Sequence, residues 1–87
     1  MTGSRVAPHE FSLSEAAAGS SVVLVRFSGG RALVARLAAL GVVPGTSFTV
    51  LKNSFFGPVI IALEGSRLMV GRGEAAKMIV RAALPAT

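Results

Sequence analysis

The chain has 87 residues, 52% of them apolar and 15% charged, with nine Lys and Arg against four Glu for a net charge of +5, and no cysteine. That length gives one domain with one core, and the apolar fraction excludes a disordered chain. The missing cysteine excludes disulfides and thiolate metal sites.

In chain order, residues 1–10 hold Gly3, Pro8 and mixed polar residues without periodicity, which predicts a flexible tail. FSLSEAAAG follows, with Ser14 as N-cap of a short helix near 14–18, Gly19 as its stop, and Phe11 and Leu13 directed at the core. Ser21 to Phe27, SVVLVRF, is a strand ended by Ser28-Gly29-Gly30. Strict alternation groups Val23, Val25 and Phe27 on one face and Val22, Leu24 and Arg26 on the other.

A helix is predicted over 31–40. Leu33, Leu37 and Leu40 form its apolar stripe, and Gly41 takes the left-handed position beyond its end. Pro44-Gly45 suit the middle of a type II turn, with Val42 and Val43 drawn onto the core. A second strand runs from Ser47 to Lys52 with Phe48 and Val50 on one side. The loop NSFFGP leads to a third strand, with Val59, Ile61 and Leu63 inward. Gly65-Ser66 turn the chain into a fourth, Arg67–Val70, with Leu68 and Val70 inward. A helical turn near 73–78 precedes a last strand at Ile79-Val80. Short strands at this spacing with helical plugs predict a mainly β small barrel over residues 11–83.

Chemistry is scarce. The single histidine, His9, lies in the tail, the four Glu are far apart in sequence, and a metal centre needs several donors held rigidly. Met69 and Met78 fall at core positions. No serine has a base within sequence reach, and Gly71–Glu74 lacks the glycine spacing and lysine of a phosphate loop. An enzyme is not expected, and neither is a cofactor. The uncharged, strongly apolar run FFGPVIIAL is about half the ~20 residues of a membrane helix, so direct insertion is not expected. Nucleic acid is disfavoured because the chain has no Tyr or Trp to stack bases.

The order LSEAAAG, GGRALVARLAALGVVPGTSFTV, GPVIIALEGSRLMV and EAAKMIV resembles the FeoA family of small SH3-like barrels, and RLAALGVVPG is its most specific stretch. The resemblance covers about Leu13 to Val80. It departs at the NSFFGP loop, which lacks the family's acidic residue, and at Gly71. It implies an SH3-like barrel of five or six strands that assists or regulates ferrous-iron uptake by binding the cytosolic side of a FeoB-like transporter. It implies a cytoplasmic location with recruitment to the inner face of the membrane. By family alone there is an association with transition-metal ions, with no ligand set to carry it. The alternatives are an adaptor barrel akin to the C-terminal domain of metal-dependent repressors, or a small basic nucleic-acid-binding barrel; a homodimer stays open.

An interaction surface would be built from Phe55 and Phe56 in the loop, Val34 and Ala35 on the helix, and Ile60 and Ala62 on the third strand. Arg31, Arg36, Arg67 and Arg72 would rim it. Leu33, Leu37, Leu40, Gly41, Pro44, Gly45 and Gly65 are the expected structural set.

Overall fold

The computed structural model describes residues 9–54 and 56–83. Six strands, β1 (Glu10–Ser12), β2 (Ser21–Phe27), β3 (Ser47–Asn53), β4 (Val59–Leu63), β5 (Ser66–Val70) and β6 (Met78–Ala82), pair antiparallel in the order β1-β6-β2-β3-β4-β5. Helix α1 is Arg31–Ala39, α2 is Arg72–Ala75, and a single 3-10 turn spans Leu13–Glu15. One face of every strand contributes to one core. Val22 and Leu24, Phe48 and Val50, Val59 and Ile61, Val70, Met78 and Val80 join Leu13, Leu33, Leu37 and Val42 in it, and Phe11 packs against it. This is the small SH3-like barrel that the strand spacing predicts, with β1 and β5 as the sheet edges.

Some boundaries differ from the sequence expectation. Glu10, assigned to the tail, opens β1, where pairing with Arg81 orders it. The first helical turn is capped at Ser12, not Ser14, and the two hydroxyls bond at 2.6 Å. Helix α2 starts at Arg72 and ends at Ala75, which leaves Met78 to start β6 as a fully buried residue.

Two bulges break the strict alternation of faces. At Val25 the register of β2 against β6 slips, so that Arg26 stands opposite Ile79 and Phe27 opposite Met78. Phe27 thereby packs against the core, not with Val23, and Arg26 leaves the face of Val22 and Leu24. Arg26 instead bonds Glu10 at 2.7 Å on the outside. At Leu51 the register of β3 against β4 slips likewise. Val50 faces Ile61, then Lys52 faces Ile60 and Asn53 faces Val59. A second extra residue thus turns Asn53 inward.

Helix α1 ends in a complete Schellman motif. Gly41, at φ 87°, donates to Ala38 O at 3.0 Å, and Val42 donates to Leu37 O at 2.8 Å. Leu37 and Val42 are both fully buried, which supplies the motif's apolar contact. Because the helix stops at Ala39, Leu40 lies outside the stripe and is 51% exposed, and Val42 takes the core position expected for it. Val43 is also exposed, since the Pro44-Gly45 turn carries it outward. That turn is closed by Thr46 N–H to Val43 O at 2.9 Å, with Gly45 at φ 98° as a type II turn requires. The Thr46 hydroxyl locks the corner by donating to Gly41 O and accepting from Val43 N–H. Gly45 N–H to Leu24 O and Leu24 N–H to Thr46 O then fasten it to β2.

Candidate interaction surface

Arg72 was expected on the rim of an interface. The structure places it in the interior of a loop instead. Its Nη1 donates to Asn53 Oδ1 at 2.7 Å, to Gly57 O at 3.1 Å and to Ser54 O, while Nη2 donates to Ser14 O at 2.8 Å. Asn53, turned inward by the Leu51 bulge, donates its Nδ2 to Ser14 O at 3.1 Å and Ala16 O at 2.7 Å. One guanidinium and one amide therefore tie together the first helical turn, the β3–β4 loop and α2. A planar fork with several donors suits this arrangement, since the acceptors are carbonyls that the sheet leaves unpaired. The loop displays Phe56, which is 92% exposed. Phe55 lies outside the described residues.

Arg36 makes the next link. Its Nη1 and Nη2 reach Glu74 Oε2 at 3.0 Å and Oε1 at 2.9 Å, a fork-on-carboxylate pair joining α1 to α2. Glu74 also accepts from Gly71 N–H at 3.3 Å. Glu64, in the β4–β5 turn, lies apart from Glu74 and lines a hollow of about 330 Å³ with Ser21, Ser47 and Thr49, so the two carboxylates do not form a pair.

The hydrogen bonds of Arg36 hold the Glu74 carboxyl below its ordinary value of 4.5, against a smaller opposing effect of desolvation. A depressed folded value contributes stability above the unfolded pKa that is lost as pH falls through the folded one. Glu74→Gln is therefore expected to leave stability near neutral pH little changed, because the pair is exposed. It should also shallow the fall in stability below about pH 4.5, as followed by denaturant titration across pH.

Beside α1 the surface opens into a groove of about 310 Å³, lined by Phe27, Gly29, Gly30, Arg31, Val34 and Ala35. Val34 is 37% exposed and Arg31 is exposed, as the sequence predicts. The Val25 bulge contributes Phe27 to this wall, a residue that strict alternation placed with Val23. Ile60 and Arg67 belong elsewhere. They stand on the outer face of the sheet, opposite Val59 and Ile61, whereas α1 packs on the core side through Leu33 and Leu37. The expected patch is thus two surfaces. Met69, expected in the core, is 62% exposed on the second of them. Among the described residues, no group of three or more His or Glu side chains could hold a metal ion. No helix there is long and apolar enough to cross a membrane.

Comparison with known proteins is consistent across sequence and fold. A Methanocaldococcus jannaschii protein named Fe(2+) transport protein A is 34% identical over 70 residues, covering 80% of this chain and 84% of that one. The crystal structure of an iron uptake regulatory protein, FeoA, is 33% identical with a TM-score of 0.75, covering 83% of this chain and 96% of that one. FeoA from Chlorobium tepidum is 29% identical with a TM-score of 0.77, covering 85% and 71%. A manganese-dependent transcriptional repressor shares the fold alone, at 21% identity and a TM-score of 0.75, over 44% of its length. The model of the FeoA domain matches residues 11–82, and the chain belongs to the FeoA domain family.

Proposed function

We propose that this protein is a binding module of ferrous-iron transport that docks on the cytosolic part of a FeoB-like transporter. The docking surface comprises the α1 groove and the Phe56 loop. The observation that carries this reading is the pair of arginine clamps. Arg36 holds α1 to α2, and Arg72 holds α2 to the loop bearing Phe56, so groove and aromatic are kept in fixed relation. Preorganisation of this kind lowers the ordering cost of association. An exposed aromatic and an apolar groove flanked by Arg31 are the chemistry of an interface centre with a cationic rim. The net charge of +5 favours a partner surface that is acidic and speeds the encounter with it.

The test is calorimetric titration of the soluble cytosolic region of a FeoB-like transporter with this chain. Val34→Glu is expected to weaken binding about 30-fold, the size of a single interface hot spot. Changing Phe55 and Phe56 together to Ser should weaken it at least as much. Unchanged affinity in both variants, with circular dichroism showing an unchanged fold, eliminates this surface as the docking site.

A further inference from the structure

The outer face of β3, β4 and β5 has a distinct make-up. Strand register sets Lys52, Ile60 and Met69 side by side in one row and Thr49, Ala62 and Arg67 in the next. The bulge adds Leu51, 40% exposed, on β3, across the β4 strand from Met69, which is 62% exposed. Lys52 and Arg67 are both exposed, and among the described residues neither makes an ion pair. None of the three strands contains a carboxylate; Glu64 sits beyond them, in the β4–β5 turn. The result is a small apolar centre with a cation on each side.

We propose that this face rests on an anionic lipid bilayer. Leu51 and Met69 enter the headgroup region, and Lys52 and Arg67 meet lipid phosphates. Size favours lipid over a protein partner. Three strands about 4.8 Å apart, with about four residues each at ~3.4 Å, present on the order of 100–200 Å². A stable protein interface buries roughly 800 Å² of accessible surface per partner, more than a flat patch of that footprint carries. A bilayer asks for less, because shallow apolar contact and electrostatic attraction add on one surface. The basic balance of the whole chain supplies further attraction toward anionic headgroups. The contact is peripheral and leaves the α1 groove, on the core side of the sheet, open at the same time. It stands on different residues from the transporter-docking surface and does not depend on it.

Co-sedimentation with vesicles of phosphatidylcholine, with and without phosphatidylglycerol, tests the proposal. Binding is expected only to the anionic vesicles and should weaken as salt rises. The double variant K52Q/R67Q should lose about 30-fold in affinity, given roughly fivefold for each cation near an anionic surface. The variant L51S/M69S should weaken binding while keeping its salt dependence, and Val34→Glu should leave vesicle binding unchanged. All these positions are exposed, and circular dichroism would confirm the fold of each variant. Failure of the unaltered protein to bind anionic vesicles at low salt would overturn the proposal, as would binding indifferent to K52Q/R67Q. A dimer that M69S dissolves would assign the face to a second copy of the chain, and an acidic protein competing where vesicles do not bind would assign it to that partner. Either result also overturns it.

Discussion

Arg72→Ala is expected to destabilise the fold by about 3 kcal/mol, because it removes a charged donor from several acceptors at once. Without the guanidinium, Gly57 O and Asn53 Oδ1 lose a charged donor in a half-buried setting, and Ser14 O keeps only the Asn53 amide. Water can reach some of these groups, which keeps the figure well below the sum of the separate bonds. For a chain of this size the loss corresponds to a fall in Tm of roughly 10–20 °C. Arg72→Lys should recover less than half of it, since one ammonium cannot span acceptors that lie on both arms of the fork. The loop suffers beyond the stability loss. Released from Arg72, the Phe56 segment should become a preferred site of limited proteolysis under conditions where the barrel is still folded. Thermal melts of the Ala and Lys variants, together with proteolytic mapping, check both parts. Equal stability for all three proteins would mean that the carbonyls are satisfied without Arg72.

Leu37→Ala is the second large effect, expected at about 3–4 kcal/mol by urea denaturation. Leu37 is fully buried, and its loss leaves a cavity bounded by elements that cannot all collapse into it. It also removes half of the apolar contact that closes the Schellman motif, since Leu37 and Val42 are the motif's paired positions. Leu40→Ala, three residues on and beyond the end of the helix, should cost less than 1 kcal/mol, because Leu40 is 51% exposed. The contrast between two leucines of one predicted stripe tests where the helix ends, independently of what either residue does for binding.

Much of the fold was legible in the residues because the relevant signals are local. Glycine and proline at 41–45 dictate a left-handed stop and a type II turn whatever surrounds them, and α1 ends accordingly. Alternation located the inward residues of β3 and β4 up to Val50 and through Leu63. Where alternation failed, a single inserted residue was responsible. Nothing in VVLVRF or TVLKN marks Val25 or Leu51 as the extra one, because a bulge is a relation between two strands. The errors at Phe27 and Arg26 share that origin, and Asn53, which the sequence places in the loop, proves to be the inward end of β3 for the same reason. Met69 was misplaced for another reason. A flexible apolar side chain at an outward position of an edge strand has the same sequence signature as one in a core.

The candidate surface was read less completely. The exposure of Val34 follows from helical periodicity, and that of Phe56 from its place in the loop. Arg72 and Arg36 were taken for surface charge because dispersed arginines carry no local mark of their partners. Their roles arise from residues as far off as Ser14 and Glu74. Only the three-dimensional register could divide the one expected patch into a helix groove and a sheet face.

The two ends of α1 are secured very unequally. Its C-terminus is locked by the Schellman bonds and the Thr46 hydroxyl, whereas Gly30 at the other end offers no side-chain cap, and the first turn bears Arg31 with no acidic residue. A positive charge there opposes the helix dipole. Fraying therefore begins at the Gly30 end, which is also the wall of the groove. The groove thus borders the less secured end of the helix, while the opposite end stays fastened to the barrel and, through Arg36, to α2.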